Sequence, residues 1–154
     1  MCGLLAAGCG TARSTSGLGN AKAEIIQPEI RIEQISDVPP VAQHLSGPLS
    51  VRYRMQVANK SAETIILKRI SLQSLGAGAY RLDPTARPFS LKIEPEHFEV
   101  AEFWVPAFID DPTVYGANGP VTLRGVAQFD SGIGQFQTTF VQQVHEFTGK
   151  TPVR

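Results

Sequence analysis

The segment Leu49–Ala58 constrains the fold of this chain more than any other part of the sequence. Its apolar residues occupy every second position and alternate with mostly polar ones in the run LSVRYRMQVA. A period of two places the apolar side chains on one face of an extended strand. Because such a face must be covered by a second layer of structure, the segment predicts a half-buried antiparallel strand within a layered domain.

A second strand is predicted directly after this segment. Asn59–Ala62 supplies residues that favour a turn, and β-branched residues are frequent in Thr64–Leu75. The apolar residues change parity near Lys68 and Arg69. This change indicates either a β-bulge or a strand that crosses from one sheet to the other.

Five more segments have alternating or strand-forming composition, and no segment has a convincing helical period. They are Glu24–Ile35, Phe89–Ile93, Phe98–Val105, Val121–Phe129 and Gln135–Phe147. A second parity change, between Val100 and Phe103 and beside Trp104, predicts a bulge in the fifth strand. The connection before Phe89 is predicted to hold a short extra strand at Tyr80–Leu82.

Length and charge limit the classes of protein to which the chain can belong. Its 154 residues favour one domain with a tail, and we expect the boundaries to be 1–23, 24–148 and 149–154. With 14 basic and 14 acidic residues, the chain has no field of one sign to attract nucleic acid. The two cysteines, Cys2 and Cys9, precede the predicted domain, so no core disulfide or thiolate metal site is expected.

The first residues contain a motif of small side chains before a cysteine. Ala6-Ala7-Gly8-Cys9 resembles a lipobox, and residues 10–23 are rich in Gly, Ser, Thr and Ala, as in a flexible linker. The resemblance to bacterial lipoproteins implies acylation of Cys9, a membrane anchor, and a place in the cell envelope facing the periplasm or the exterior. No Lys or Arg precedes Arg13, whereas a signal peptide has a basic start and about 7–15 apolar residues. The alternatives are a true start further upstream or a disordered start without a signal.

Two families resemble the predicted domain. Seven short strands with turns between them over about Glu24–Phe147 resemble immunoglobulin and fibronectin type III domains. This resemblance implies an all-β, seven-stranded antiparallel immunoglobulin-like β-sandwich and no particular activity. The chain is also similar to late-embryogenesis-abundant type 2 domains of the water-stress class, which place Asn-Pro at the turn where this chain has Asn59 and Lys60. That similarity implies a stress-protective role without a defined ligand as the alternative function.

The sequence predicts no enzyme, no metal site and no cofactor. The histidines lack the spacing of zinc ligands, and they are His44, His97 and His145. Asp110 and Asp111, with Asn118 nearby, offer oxygen ligands for a cation but lack the spacing of a calcium loop, so turn chemistry is the favoured interpretation. A Gly-x-Ser-x-Gly nucleophile motif is absent.

The predicted topology places three long connections together at one end of the sandwich, because successive connections alternate between the two ends. If Cys9 anchors the chain, these connections face away from the membrane and form the expected contact surface for a protein or glycan partner. The predicted partner-binding residues are Tyr80, Arg81, Arg87, Phe108, Asp110, Asp111 and Tyr115.

A second, less favoured surface is the outer face that carries Arg52 and Arg54. We expect it to be a solvated sheet surface shared with Gln and Thr residues of the last strand. A sugar- or peptide-binding face is the alternative, and it is disfavoured because the sequence pattern places no aromatic residue there.

Overall fold

The structure is a computed structural model that describes residues 26–35, 47–76, 78–109 and 120–144. These residues form seven strands and no helix. The strands are β1 (Glu29–Gln34), β2 (Gly47–Ala58), β3 (Ile65–Leu75), β4 (Thr85–Ile93), β5 (Phe98–Ile109), β6 (Val121–Ser131) and β7 (Gly134–Val144). The outermost predicted boundaries and both tails lie outside the described residues and stay predictions.

The strands form two antiparallel sheets. One has three strands in the order β1-β2-β5, and the other has four in the order β4-β3-β6-β7. The fold prediction of a seven-stranded, all-β immunoglobulin-like sandwich is confirmed. Strand β4 pairs with β3 rather than with β5, so the sheets divide three against four.

Strand β2 is central in the three-stranded sheet and shows why the alternating sequence folds this way. Its odd-numbered residues from Val51 to Val57 are buried, with Tyr53, Met55 and Val57 at 0 % exposure. They pack against the apolar face of the four-stranded sheet, including Leu67 and Phe129. Burial of these apolar side chains supplies most of the driving force for closing the two sheets together.

The bulge predicted in β3 is confirmed. Pairing of β3 with both β4 and β6 shifts between Leu67 and Arg69, and the buried side chains change parity across the shift. One extra residue at this point lets both Leu67 and Ile70 face the core, so the strand keeps its place in one sheet.

The bulge predicted in β5 is wrong. All twelve residues of β5 pair with β2 in one uninterrupted register, from Phe98 opposite Ala58 to Ile109 opposite Gly47. The parity change in the sequence has another cause: Phe98 and Val100 lie on the solvent face, and the buried face begins at Phe103. The apolar residues of β5 therefore occupy both faces of the strand.

The two ends of the sandwich differ as predicted. Pairing places the short β2–β3, β4–β5 and β6–β7 turns at the end where β1 begins. The other three connections begin and end at the opposite end. There, Arg81 forms an isolated main-chain bridge with Phe108 in place of the extra strand predicted at Tyr80–Leu82.

Candidate functional site

Strand β5 carries a row of apolar side chains on the solvent face of the three-stranded sheet. We call this row the β5 stripe and define it as Phe98, Val100, Trp104 and Phe108, which share one parity of an edge strand. Phe98 is 59 % exposed, Val100 44 % and Trp104 51 %. Large apolar side chains that line up on a solvent face mark an interaction surface more often than scattered ones do.

Two arginines lie over the aromatic rings of the β5 stripe. Arg52 lies directly opposite Trp104 in the β2–β5 register, and its guanidinium carbon is 5.7 Å from the ring centroid. The guanidinium carbon of Arg81 is 5.4 Å from the centroid of Phe108. These distances are within the range of cation–π attraction, so the arginines hold both rings in place while leaving their own polar groups at the surface.

An ion-pair network lies beside the β5 stripe and crosses all three strands. Glu33, Arg54 and Glu102 are opposite one another in the register. The guanidinium of Arg54 is 3.1 Å from the Glu33 carboxylate and 3.0 Å from the Glu102 carboxylate, and Arg52 also pairs with Glu102. Exposed pairs of this kind contribute little to stability individually, but here they fix Arg52 beside Trp104.

Hydrogen bonds from Arg54, followed by the interaction with Arg52, lower the pKa of Glu102 below its ordinary value of 4.5. Because the folded-state pKa is lowered, the contribution of this carboxylate to stability is present at neutral pH. It is lost as the pH falls through the folded-state pKa.

We expect the fluorescence of Trp104 to report this titration. Trp104 is the single tryptophan of the chain. Protonation of Glu102 removes one anchor from Arg52, whose guanidinium lies over the indole ring. Emission followed from pH 7 downward should change with a midpoint below 4.5, the ordinary glutamate value.

The matched variant for this titration is Arg54→Ala. It removes the largest cause of the lowered pKa of Glu102, so the midpoint should rise toward 4.5. An identical midpoint in both proteins, in a range where circular dichroism shows the fold intact, would rule out coupling between Glu102 and the indole.

The structure corrects the prediction that Tyr80 contacts a partner. Tyr80 is 4 % exposed and belongs to the core. Its hydroxyl donates to Oε1 of Gln34 at 2.6 Å and lies 2.6 Å from the hydroxyl of Tyr53. Tyr80 is buried because these partners satisfy its hydroxyl within the sandwich. Burial is the main cause that raises the pKa of Tyr53, and the neighbouring Tyr80 raises it further. Tyr53 therefore stays protonated.

The structure places three predicted contact residues along β5. Arg81 and Phe108 form the isolated bridge at the end of β5. Arg87 lies on β4 rather than in a loop, and its Nε donates to the main-chain oxygen of Trp104 at 3.0 Å. The remaining predicted site residues lie outside the described residues, and they are Cys9, Asp110, Asp111 and Tyr115.

Trp104 is the residue that the sequence interpretation missed. The prediction placed no aromatic residue on the face of Arg52 and Arg54, and this is wrong because even-numbered residues of β5 share that face. The Gln and Thr residues of the last strand were also misplaced, since β7 belongs to the other sheet. The sequence signal for this aromatic residue is the parity change in β5, which is the basis of the predicted bulge.

The described residues show neither of two common functional features. Within the described ranges, no three His, Cys, Asp or Glu side chains gather where they could bind a metal ion. In the same ranges no helix has the length and hydropathy to cross a bilayer. The candidate site in the described part of the chain is made of exposed apolar side chains, arginines and compensated charges.

Comparison with known proteins supports the fold. No protein-family model and no curated protein sequence matches the chain. Among solved structures, the chain is similar to the Northeast Structural Genomics Consortium target SoR45, at 12 % identity and a TM-score of 0.52 over 83 % of this chain and 91 % of that one. It is also similar to a protein from Archaeoglobus fulgidus, at 7 % identity and a TM-score of 0.50 over 75 % and 91 % of the two chains.

A PapD-like domain of human CEP192 is a more distant neighbour. It has 13 % identity and a TM-score of 0.36 over 88 % of this chain and 96 % of that domain. At such low identities the first two similarities, to SoR45 and the archaeal protein, show the fold alone. The chain is an all-β sandwich.

Proposed function

We propose that this chain is a non-catalytic binding module of the bacterial cell envelope and that its β5 stripe receives a protein partner. One observation carries the proposal. Strand β5 turns Phe98, Val100 and Trp104 to solvent in a single row, although its opposite face already supplies the core residues Phe103 and Val105. Contact between these apolar side chains and water costs free energy, and a partner that covers them removes that cost.

The chemistry of the surface favours a protein over a glycan. An aromatic ring with an arginine beside it is the kind of residue pair that dominates the energy of protein interfaces. Phe98 and Val100 extend the apolar surface beyond Trp104, and they add no hydrogen-bonding group that a sugar hydroxyl would need. The ion-paired residues Arg54, Glu33 and Glu102 border this apolar surface as a polar rim does in such interfaces.

The proposed place in the envelope rests on the lipobox-like motif before Cys9. Acylation with more than one chain at this cysteine would give stable anchoring, whereas one chain alone binds a membrane only marginally. Mass spectrometry of the mature amino terminus from the native host tests this part of the proposal. A lipid-modified Cys9 supports it, and recovery of an unmodified Met1 contradicts it.

Replacement of the two exposed rings tests the role of the β5 stripe. The protein carries a carboxyl-terminal tag and is purified from native envelopes in mild detergent, and associated proteins are quantified by mass spectrometry. The double variant Phe98→Ala/Trp104→Ala should lose a specific partner by about 10-fold or more, since such anchors dominate interface energy. Neither side chain is part of the core, so the fold should remain intact.

The matched control is Val141→Ala, because Val141 is 61 % exposed on the outer face of the edge strand of the other sheet. The control should retain the partner at the wild-type level. Equal recovery in all three proteins would contradict the proposal. Loss of a co-purified polysaccharide in place of a protein would assign the surface to glycans. Protection of unrelated enzymes from drying, unchanged in the double variant, would support the stress-protective alternative.

A further inference from the structure

One edge of the three-stranded sheet has main-chain groups that no described residue uses. Strand β5 pairs with β2 on one side only. On its other side, the N–H of Phe108 donates to the oxygen of Arg81 and its own oxygen accepts from the N–H of Arg81. Because main-chain groups alternate in direction along a strand, those of Phe98, Val100 and Glu102 point the same way, away from β2. No described residue forms a hydrogen bond with these outward groups.

Two other stretches of sheet edge are closed by specific groups. Along β5, Nε of Arg87 donates to the oxygen of Trp104, and Pro106 has no N–H to offer. On the β1 edge of the same sheet, the side-chain amide of Gln142 from β7 takes the place of a neighbouring strand. It accepts from the N–H of Ile32 at 3.0 Å and donates to the main-chain oxygen of Ile32 at 2.7 Å. The segment Phe98–Glu102 has no such protection, and it carries neither a lysine nor a bulge.

The side chains of the open segment are complementary to a second copy of the same segment in antiparallel orientation. A twofold axis at Ala101 places Phe98 of each copy opposite Trp104 of the other, and Val100 opposite Glu102. Moving the axis to Glu102 would place two like charges opposite each other, which is destabilising. Moving it to Val100 would place Phe98 opposite Glu102 and lose the aromatic pairs. Of these three registers, the one at Ala101 alone pairs the aromatic rings and keeps the carboxylates apart.

We infer that two copies of this chain associate through the open β5 edges, with the twofold axis at Ala101. In each half of the interface, Val100 and Glu102 of opposite copies exchange main-chain hydrogen bonds, and the two three-stranded sheets become one continuous sheet. The interface is isologous, as in most homodimers. It joins the two β5 stripes into one apolar surface, and it does not depend on the identity of the partner proposed above.

Sedimentation of the full chain tests this inference. Cys2→Ser and Cys9→Ser are introduced so that no disulfide or lipid links the copies. Sedimentation equilibrium from about 1 µM to about 1 mM, the range in which a weak interface associates, should show a monomer–dimer equilibrium. Val100→Pro removes an N–H that points away from β2. It should raise the dissociation constant of the dimer at least about 10-fold. The control Val141→Lys, on the edge strand β7, should leave the equilibrium unchanged.

Cysteine cross-linking tests the register and does not depend on the folding of the proline variant. In the proposed register, the two Ala101 residues form a non-hydrogen-bonded pair with Cα atoms about 4.5 Å apart, which suits a disulfide. In the same cysteine-free background, Ala101→Cys should therefore oxidise to a dimer faster than Glu99→Cys. A monomer at every concentration, a dimer unaffected by Val100→Pro, or faster coupling of Glu99→Cys would overturn the inference.

Discussion

Replacing Asn59 with alanine is expected to lower the free energy of unfolding by about 3 kcal/mol, because one buried side chain closes the short-turn end of the sandwich. Asn59 is 1 % exposed. Its Nδ2 donates to the main-chain oxygens of Glu63 at 2.7 Å, Ile93 at 3.1 Å and Glu94 at 3.2 Å. Its Oδ1 accepts from the N–H of Ser61 at 3.0 Å and from the Ser61 hydroxyl at 2.7 Å.

Urea denaturation followed by circular dichroism measures this loss. Lys60→Ala, at an exposed position of the same turn, is the control and should change stability by no more than about 0.5 kcal/mol. Asn59→Asp keeps the acceptor for Ser61 but replaces the amide donor with a carboxylate that faces three carbonyl oxygens. It should therefore be at least as destabilising as alanine. If Asn59→Ala matched Lys60→Ala, the side chain would not hold the turns together.

Adding a single methyl group at Gly125 is expected to destabilise the protein by about 2 kcal/mol, within the range for overpacking. Gly125 lies on β6 opposite Phe140 of β7, and a Cβ atom there would be 2.0 Å from Cζ of the Phe140 ring. The tip of the ring lies over the glycine and the ring packs against the core, so the ring would have to leave this place. The absence of a side chain at Gly125 therefore makes room for an aromatic ring.

A double-mutant cycle isolates this contact. Phe140→Leu alone should be mildly destabilising, and in its presence Gly125→Ala should cost much less, because the smaller side chain can move aside. Gly132→Ala is the control: its Cβ would be 3.3 Å from the flexible Glu63 carboxylate, so we expect a change within about 0.5 kcal/mol. Equal losses for Gly125→Ala with and without Phe140 would contradict the packing described.

The sequence predicts the fold well wherever one face of a strand is apolar and the other polar. Strand β2 is such a case, and from Val51 to Ala58 its apolar residues are the buried ones in strict alternation, apart from the partly buried Ala58. The bulge of β3 was also predictable, because most of the apolar residues occupy odd-numbered positions before Lys68 and even-numbered positions after it. The turn residues between strands then predict which connections lie at each end of the sandwich.

The same reasoning fails for β5 because its solvent face is also apolar. When both parities carry large apolar side chains, periodicity does not tell which face is buried. Tyr80 was misplaced for a different reason: its burial depends on the hydroxyl of Tyr53 and the amide of Gln34, which are distant in sequence. Both errors concern side chains whose environment is set by tertiary contacts. The β5 stripe and its arginines could therefore be identified only from the register of the strands.

Site-specific photo-cross-linking in native envelopes tests most directly whether the β5 stripe is the binding surface. A photoreactive phenylalanine derivative is placed at Phe98, at Trp104 and, on the other sheet, at Val141, all of which are exposed in the described structure. The proposed function predicts a common cross-linked protein, other than a second copy of this chain, at positions 98 and 104 and none at 141. Cross-links to that protein at position 141 alone, or at all three positions in equal yield, would contradict it.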